Sequence, residues 1–198
     1  MSTEETNDVE INVGLATFAE AVLFAKEAHK GQLYCGKDFF EAHLEQIVDS
    51  AADFGCGLDY GILTLAVLHD IVEDTPITIE DIKARFGRDI AEGVRALTVP
   101  KTGGNRKERF DTNLGLLADV FEARVVRLLD RKANMQACIY EPASDPKKAK
   151  MYIDEFEFFK NRMEKLVEYS VEEEILRNLE SWHRKLKEHY DNLSKSNL

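Results

Sequence analysis

The chain has 198 residues, enough for one domain with a sizeable core and no need of staples. Its 37 acidic residues outnumber 26 basic ones, giving a net charge of −11, which argues against sequence-independent nucleic-acid binding and against docking on an anionic membrane surface. Cys35, Cys56 and Cys138 form no C-x-x-C pair and the start MSTEETNDVE is acidic and polar, so neither a disulfide framework nor a signal peptide is indicated and a cytoplasmic setting is expected.

Helical periodicity is frequent and strand signals are scarce, so the predicted fold class is all-α, a single helical bundle of about eight to nine helices. Residues 1–12 are expected to be a disordered acidic tail, leaving 13–198 as the domain. Phe18, Ala21, Val22, Ala25 and Ala28 keep helical spacing in a first helix from about 16 to 30, closed by Gly31. Leu44, Ile47, Val48 and Ala51 mark one face of a second helix from Phe39 to about Phe54. The third is predicted from about Asp59 to Asp74. Thr78 reads as the N-cap of a short helix ending at Phe86-Gly87, and Arg88 to Leu97 makes another.

Val99-Pro100-Lys101-Thr102-Gly103-Gly104-Asn105 is the clearest loop, followed by a polar helix from about 106 to 118. Val125, Val126, Leu128 and Leu129 lead into Asp130 on a second apolar helix. Asp145-Pro146 suits an N-cap and first helical residue for a long amphipathic helix to about 169. Ser170-Val171-Glu172-Glu173 has the capping-box pattern and opens a last packing helix over 170–193, with Leu176, Leu179, Trp182, Leu186 and Tyr190 in one stripe. That stripe suits docking onto the same domain or, as a homodimer, onto a second copy.

The third helix carries the chemistry. Leu63-Thr64-Leu65-Ala66-Val67-Leu68 is apolar enough to be buried on most sides, yet it runs into His69-Asp70-Ile71-Val72-Glu73-Asp74 before Pro76 stops the helix. Ionisable groups beside such a run must be paired, ligated or at a cavity edge, and metal ligation accounts for them most simply. If the helix persists, Glu73 stacks over His69 and Asp74 over Asp70. A catalytic metal wants at least one further ligand and an open position, and His43, Asp130 and His29 are the candidates beside apolar helix. His29 can equally cap the helix before Gly31. His183 and His189 sit among charges on the last helix and read as solvated.

The ordered set His43, His69-Asp70, Asp130 resembles the HD-domain metal-dependent phosphohydrolases, and more narrowly the hydrolase domain of the RelA/SpoT proteins and the small alarmone hydrolases related to the metazoan SpoT homologue. The carriers run from about Phe18 to Glu155: Ala28-His29-Lys30-Gly31-Gln32, Leu68-His69-Asp70-Ile71-Val72-Glu73-Asp74-Thr75, Phe86-Gly87, Ala96-Leu97-Thr98, Asn105-Arg106-Lys107-Glu108-Arg109, and Leu128-Leu129-Asp130-Arg131 with Asn134-Met135. The resemblance implies an HD-type bundle in which His43, His69, Asp70 and Asp130 bind one Mn²⁺. It further implies a water on that ion attacking the 3′-diphosphate of (p)ppGpp to release pyrophosphate, with Glu73 and Asp74 as the acidic pair that manages protons. Such an oxygen-rich site with two imidazoles suits Mn²⁺. Asn134 and, more loosely, Tyr152 match nucleotide-contacting positions of the family. Lys101, Arg106, Lys107 and Arg109 are candidates to clamp a diphosphate, or an ordinary solvated helix start.

Between Gln32 and His43 the chain departs from the family, whose Arg-Lys pair is replaced by Tyr34-Cys35, followed by Lys37 as a remaining cation. Tyr34 is a candidate to stack on a purine, or a core aromatic. The partner expected is thus a small-molecule nucleotide. A guanosine alarmone heads the readings, with another nucleotide (pppApp, NADPH or a nucleoside monophosphate) or a non-hydrolytic nucleotide-binding HD module as alternatives.

Overall fold

A computed structural model describes residues 3–101 and 103–196, with side chains from residue 14 to 195 save those of 102 and 194. Among these, nine helices of eight residues or more form one bundle, with a single small hairpin beside it. Helix α1 (Thr3–Ala28) packs along α3 (Tyr60–Leu68), which is also contacted by α2 (Glu45–Asp53), α6 (Arg88–Leu97) and α8 (Phe121–Tyr140). The all-α expectation therefore holds. The α1 helix starts at Thr3, well before the expected 16, so the stretch expected to fray is helical backbone from residue 3; residues 1 and 2 lie outside the description. No proline interrupts it.

Helix α3 owes its central place to composition. Ile62 through Leu68 are all buried, a helix apolar on every side, and Asp59 caps its start by accepting from the Ile62 N–H at 3.0 Å. Gly93 lets α6 approach it, because a Cβ there would lie 2.6 Å from Leu65 Cδ1.

The α4 turn (Ile71–Asp74) follows, then α5 (Ile79–Phe86) behind a capping box of Thr78 and Asp81, as its sequence indicates. Helix α7 (Arg106–Ala118) starts behind a second capping box, Asn105 with Glu108. Thr102 of the preceding loop is outside the described residues. Helix α9 (Pro146–Met163) has Asp145 as its N-cap and ends six residues before the predicted 169, and α10 (Ser170–Ser196) closes the bundle against α8 and α9. Leu176, Leu179 and Leu186 are buried there, so the stripe docks within the chain.

Three features depart from the predicted elements. Leu33–Tyr34 (β1) and Lys37–Asp38 (β2) form an antiparallel hairpin through Cys35 (φ 49°) and Gly36 (φ 82°), the positive-φ pair of a primed two-residue turn. The second helix opens with a π turn, Phe40–Leu44. The Ser170 capping box is absent in the predicted form; instead Glu172 Oε2 accepts from the Glu168 and Tyr169 N–H groups, both at 3.1 Å. His183 also is not simply solvated, since its ring stacks on Phe156 at 4.1 Å. No helix among the described residues is long and apolar enough to cross a membrane.

Candidate active site

The long helix predicted over 59–74 breaks at His69-Asp70, where Asp70 takes φ −95° and ψ −4°, and resumes as α4. This bridge-region backbone is common at functional sites. The expected stacking of one carboxylate on each ligand over an unbroken helix is therefore replaced by a turn, although the Asp74 N–H still donates to the Asp70 carbonyl at 2.9 Å. Pro76 forces Thr75 to extend, ending α4, and Gln32 Nε2 donates to the Asp74 carbonyl at 2.9 Å, tying the turn to the hairpin.

His43 comes from the π turn and Asp130 from the middle of α8. A π turn widens the helix locally and re-aims a side chain, a device recurrent at functional sites. His43 Nε2 lies 3.3 Å from Asp70 Oδ2 and 3.4 Å from Asp130 Oδ1; His69 Nε2 lies 3.2 and 3.8 Å from the same two oxygens. His43, His69 and Asp130 each bring a ligand atom within 4.8 Å of the other two. Both imidazoles are buried.

The donor set fits a cation. His69 Nδ1 lies 2.9 Å from the Ala66 carbonyl, so Nδ1 donates there and Nε2 is the nitrogen that faces the cluster, where it has no hydrogen-bond partner. Burial disfavours charge on His69, but the Asp70 and Asp130 carboxylates outweigh this and push its pKa up to about 9. Asp70, although half-buried, is held well below the usual carboxylate range by His69 and His43. Crowded carboxylates around inward-facing nitrogens are what a divalent ion relieves.

Above the cluster opens a cavity of about 400 Å³. Glu73 and Asp74 line it, and both carboxyl pKa values are raised, first by burial and then by neighbouring Asp70. Glu73 Oε1 accepts from the Val99 N–H at 2.7 Å. Lys101 reaches over α4, donating to the Glu73 carbonyl with its Nζ 3.9 Å from Asp74 Oδ1. Arg106, Lys107 and Arg109 also line the cavity; Arg106 Nε is 2.9 Å from Glu155 Oε2 and Arg109 Nη1 is 3.2 Å from the Gly104 carbonyl. Asn105 and Glu108 do the capping, while Arg106 and Lys107 stay exposed and Arg109 half-buried along the cavity wall.

Tyr34, Asn134 and Tyr152 are in the wall, but not as free contact surfaces. Tyr34 stacks on His43 with ring centroids 4.7 Å apart and donates its hydroxyl to Asn134 Oδ1 at 2.9 Å. Tyr152 is buried, with the Arg131 guanidinium 4.8 Å from its ring centre. Lys37 is not brought to the cavity: it pairs with Glu141 Oε2 at 2.7 Å beside a separate surface groove. His29, buried, joins Gln32 through Nδ1 at 2.8 Å and stacks on Phe39, supporting the hairpin.

Three lining cations were not among the predicted substrate contacts: Arg127, Arg131 and Lys148. Arg127, one turn before Asp130, has Nη1 3.7 Å from Asp130 Oδ2 and donates through Nη2 to the Leu97 carbonyl. Its spacing was the signal, since residues three apart on a helix share a face. Arg131 is buried between Tyr152 and Phe159, its Nη1 without a partner.

No protein-family model matches the chain. It is 31% identical over 123 residues to the bifunctional (p)ppGpp synthase/hydrolase SpoT of Escherichia coli, covering 59% of this chain and 17% of that protein. It is 28% identical over 125 residues to the guanosine-3′,5′-bis(diphosphate) 3′-pyrophosphohydrolase MESH1 of Drosophila melanogaster, covering 61% of this chain and 69% of the fly protein. The chain spans less than a fifth of the length of the bacterial relatives it matches. A solved metazoan orthologue of SpoT, described as hydrolysing ppGpp, superposes with a TM-score of 0.68 over 83% of this chain and 93% of that one, at 22% identity. The resemblance read from the motifs is thus matched in sequence by named (p)ppGpp hydrolases and in fold by a metazoan SpoT orthologue.

Proposed function

We propose that the chain hydrolyses the 3′-diphosphate of a guanosine alarmone, converting (p)ppGpp to GDP or GTP and pyrophosphate, with a divalent ion, Mn²⁺ by the chemistry of its donors, held by His43, His69, Asp70 and Asp130. The observation that carries this reading is the convergence of those four side chains at the base of a cavity lined by cations. A divalent ion there supplies Lewis acidity toward a phosphoryl oxygen and makes a water nucleophilic near neutral pH.

The chain's own residues supply the rest. Glu73 keeps one oxygen on the Val99 N–H and one free, and its raised pKa makes it a better proton acceptor than an exposed carboxylate. Asp74, raised for the same reason and adjacent to Lys101, is suited to return a proton to the leaving group. Lys101, Arg106 and Arg109 neutralise the diphosphate as charge develops.

A second reading keeps fold and ion but changes the nucleotide. It is favoured by the hairpin, which carries Tyr34 and Cys35 where the resembled family has a basic pair. One panel separates the two: Mn²⁺-loaded protein with ppGpp, pppApp, NADPH and nucleoside monophosphates, the released phosphate species being identified. Pyrophosphate with GDP from ppGpp supports the first reading. Faster turnover of another nucleotide supports the second, and orthophosphate release or no turnover rejects the first.

A further inference from the structure

Of the two ligand imidazoles, only one is oriented by a hydrogen bond. His69 is fixed through Nδ1 to the Ala66 carbonyl, whereas His43 Nδ1 is buried without a partner. What holds His43 is aromatic contact: the face of Tyr34 at 4.7 Å and 21°, and the edge of Phe39 at 5.5 Å and 65°. The same tyrosine reaches a second ligand. Its hydroxyl donates to Asn134 Oδ1 at 2.9 Å, and Asn134 Nδ2 donates to the carbonyl and Oδ1 of Asp130 at 2.9 and 2.5 Å. Both ends of the amide are thereby committed, and the Asp130 carboxylate is fixed in rotation.

We infer that Tyr34 is a positioning residue that sets the arrangement of His43 directly and of Asp130 through Asn134, so that the β1–β2 hairpin governs affinity for the divalent ion. The inference rests on reading the quartet as a divalent-ion site. The hairpin is built for such a task. Its primed turn fixes the register Tyr34↔Lys37, the Phe39 N–H donates to the Gln32 carbonyl at 3.1 Å, and Lys37 pairs with Glu141 at the end of α8. Tyr34 therefore sits on a braced strand, with one ring face given to His43.

Groups that orient ligands typically change metal affinity about 10–100-fold when removed. The test compares chelator-treated parent, Tyr34→Phe, Tyr34→Leu and a control in exposed Tyr140, Tyr140→Phe, following free Mn²⁺ by electron paramagnetic resonance and ppGpp turnover at saturating Mn²⁺. Tyr34→Phe, which keeps the stack and loses the hydroxyl, should weaken Mn²⁺ binding about 3–10-fold with the apo unfolding midpoint within about 2 °C of the parent. Tyr34→Leu should weaken it about 10–100-fold while KM for the nucleotide stays within about twofold, and Tyr140→Phe should match the parent. Undiminished Mn²⁺ affinity in Tyr34→Leu, or in Tyr34→Phe should the leucine variant fail to fold, overturns the inference. So does a rise in KM at unchanged metal affinity, which would make Tyr34 a substrate platform. Should the parent bind Mn²⁺ yet turn over none of the nucleotides, the proposed function falls while these affinity differences still stand.

Discussion

Helix α8 carries two clusters of buried charge, about two turns apart, and they are assembled on opposite terms. At Arg124 every arm of the guanidinium is answered: Nε by Glu172 Oε1 at 2.6 Å, Nη1 by the Ala118 carbonyl at 2.5 Å and Nη2 by Glu168 Oε2 at 2.8 Å. Glu172 in turn spends its other oxygen on two backbone N–H groups. At Asp130 the carboxylate instead meets imidazoles that each leave one buried nitrogen, His43 Nδ1 and His69 Nε2, without a hydrogen-bonded partner, below an open cavity. A saturated buried ion pair fastens one helix to another. An unsaturated one keeps its capacity for something that arrives, because unmet polar groups are tolerated in a core only where a ligand or function repays them.

Opposite effects on removal follow, and the largest is at the open cluster. Asp130→Ala should lower ppGpp hydrolysis by at least about 10³-fold and abolish tight Mn²⁺ binding, with no loss of apo stability in a thermal melt, since it relieves crowded carboxylates. At the closed cluster, Arg124→Met strands the buried Glu172 and should cost about 3–5 kcal/mol in urea unfolding, most of it recovered in the Arg124→Met/Glu172→Leu double variant. Mn²⁺ affinity of the folded fraction should not move. Equal responses of metal affinity to both substitutions would erase the distinction.

Three smaller effects sharpen it. Glu73→Gln should leave Mn²⁺ affinity intact and cut kcat by about 10²–10³-fold, and metal loss there would reject its separation from the ligands. Arg106→Ala should raise KM about tenfold with kcat nearly unchanged and with weaker dependence on ionic strength, read from initial rates in a salt series. His183, away from both clusters, has its pKa lowered by burial. Its folded-state value therefore lies below the unfolded one, so it supports stability above about pH 6.5 and withdraws that support as pH falls through the lowered value. Against parent, His183→Phe should gain about 1–2 °C in melting temperature at pH 5 relative to pH 7.5.

What was legible in the sequence was whatever local chemistry decides. The Thr78 and Asp145 caps set the starts of α5 and α9, Gly87 ended α5, and the apolar run before His69 marked α3 as the helix at the centre. The order of His43, His69, Asp70 and Asp130 likewise announced a cluster before any distance was known. Long-range contacts decided the rest. The break at His69-Asp70 has no proline or glycine to signal it and arises where the chain turns its ligands toward His43 and Asp130. The hairpin turn uses Cys35 at positive φ, where asparagine or aspartate would have been the signal. Ser170 and Glu173 have the spacing of a capping box, but it is Glu172 that takes the N–H groups before α10, held by Arg124 from 48 residues away.

The most direct test is an anomalous-difference map at the manganese edge from crystals of the Mn²⁺-loaded protein. The account predicts one peak per chain within coordinating distance, about 2.0–2.3 Å, of His43, His69, Asp70 and Asp130. A map with no peak there, or with its ion bound elsewhere, would contradict it.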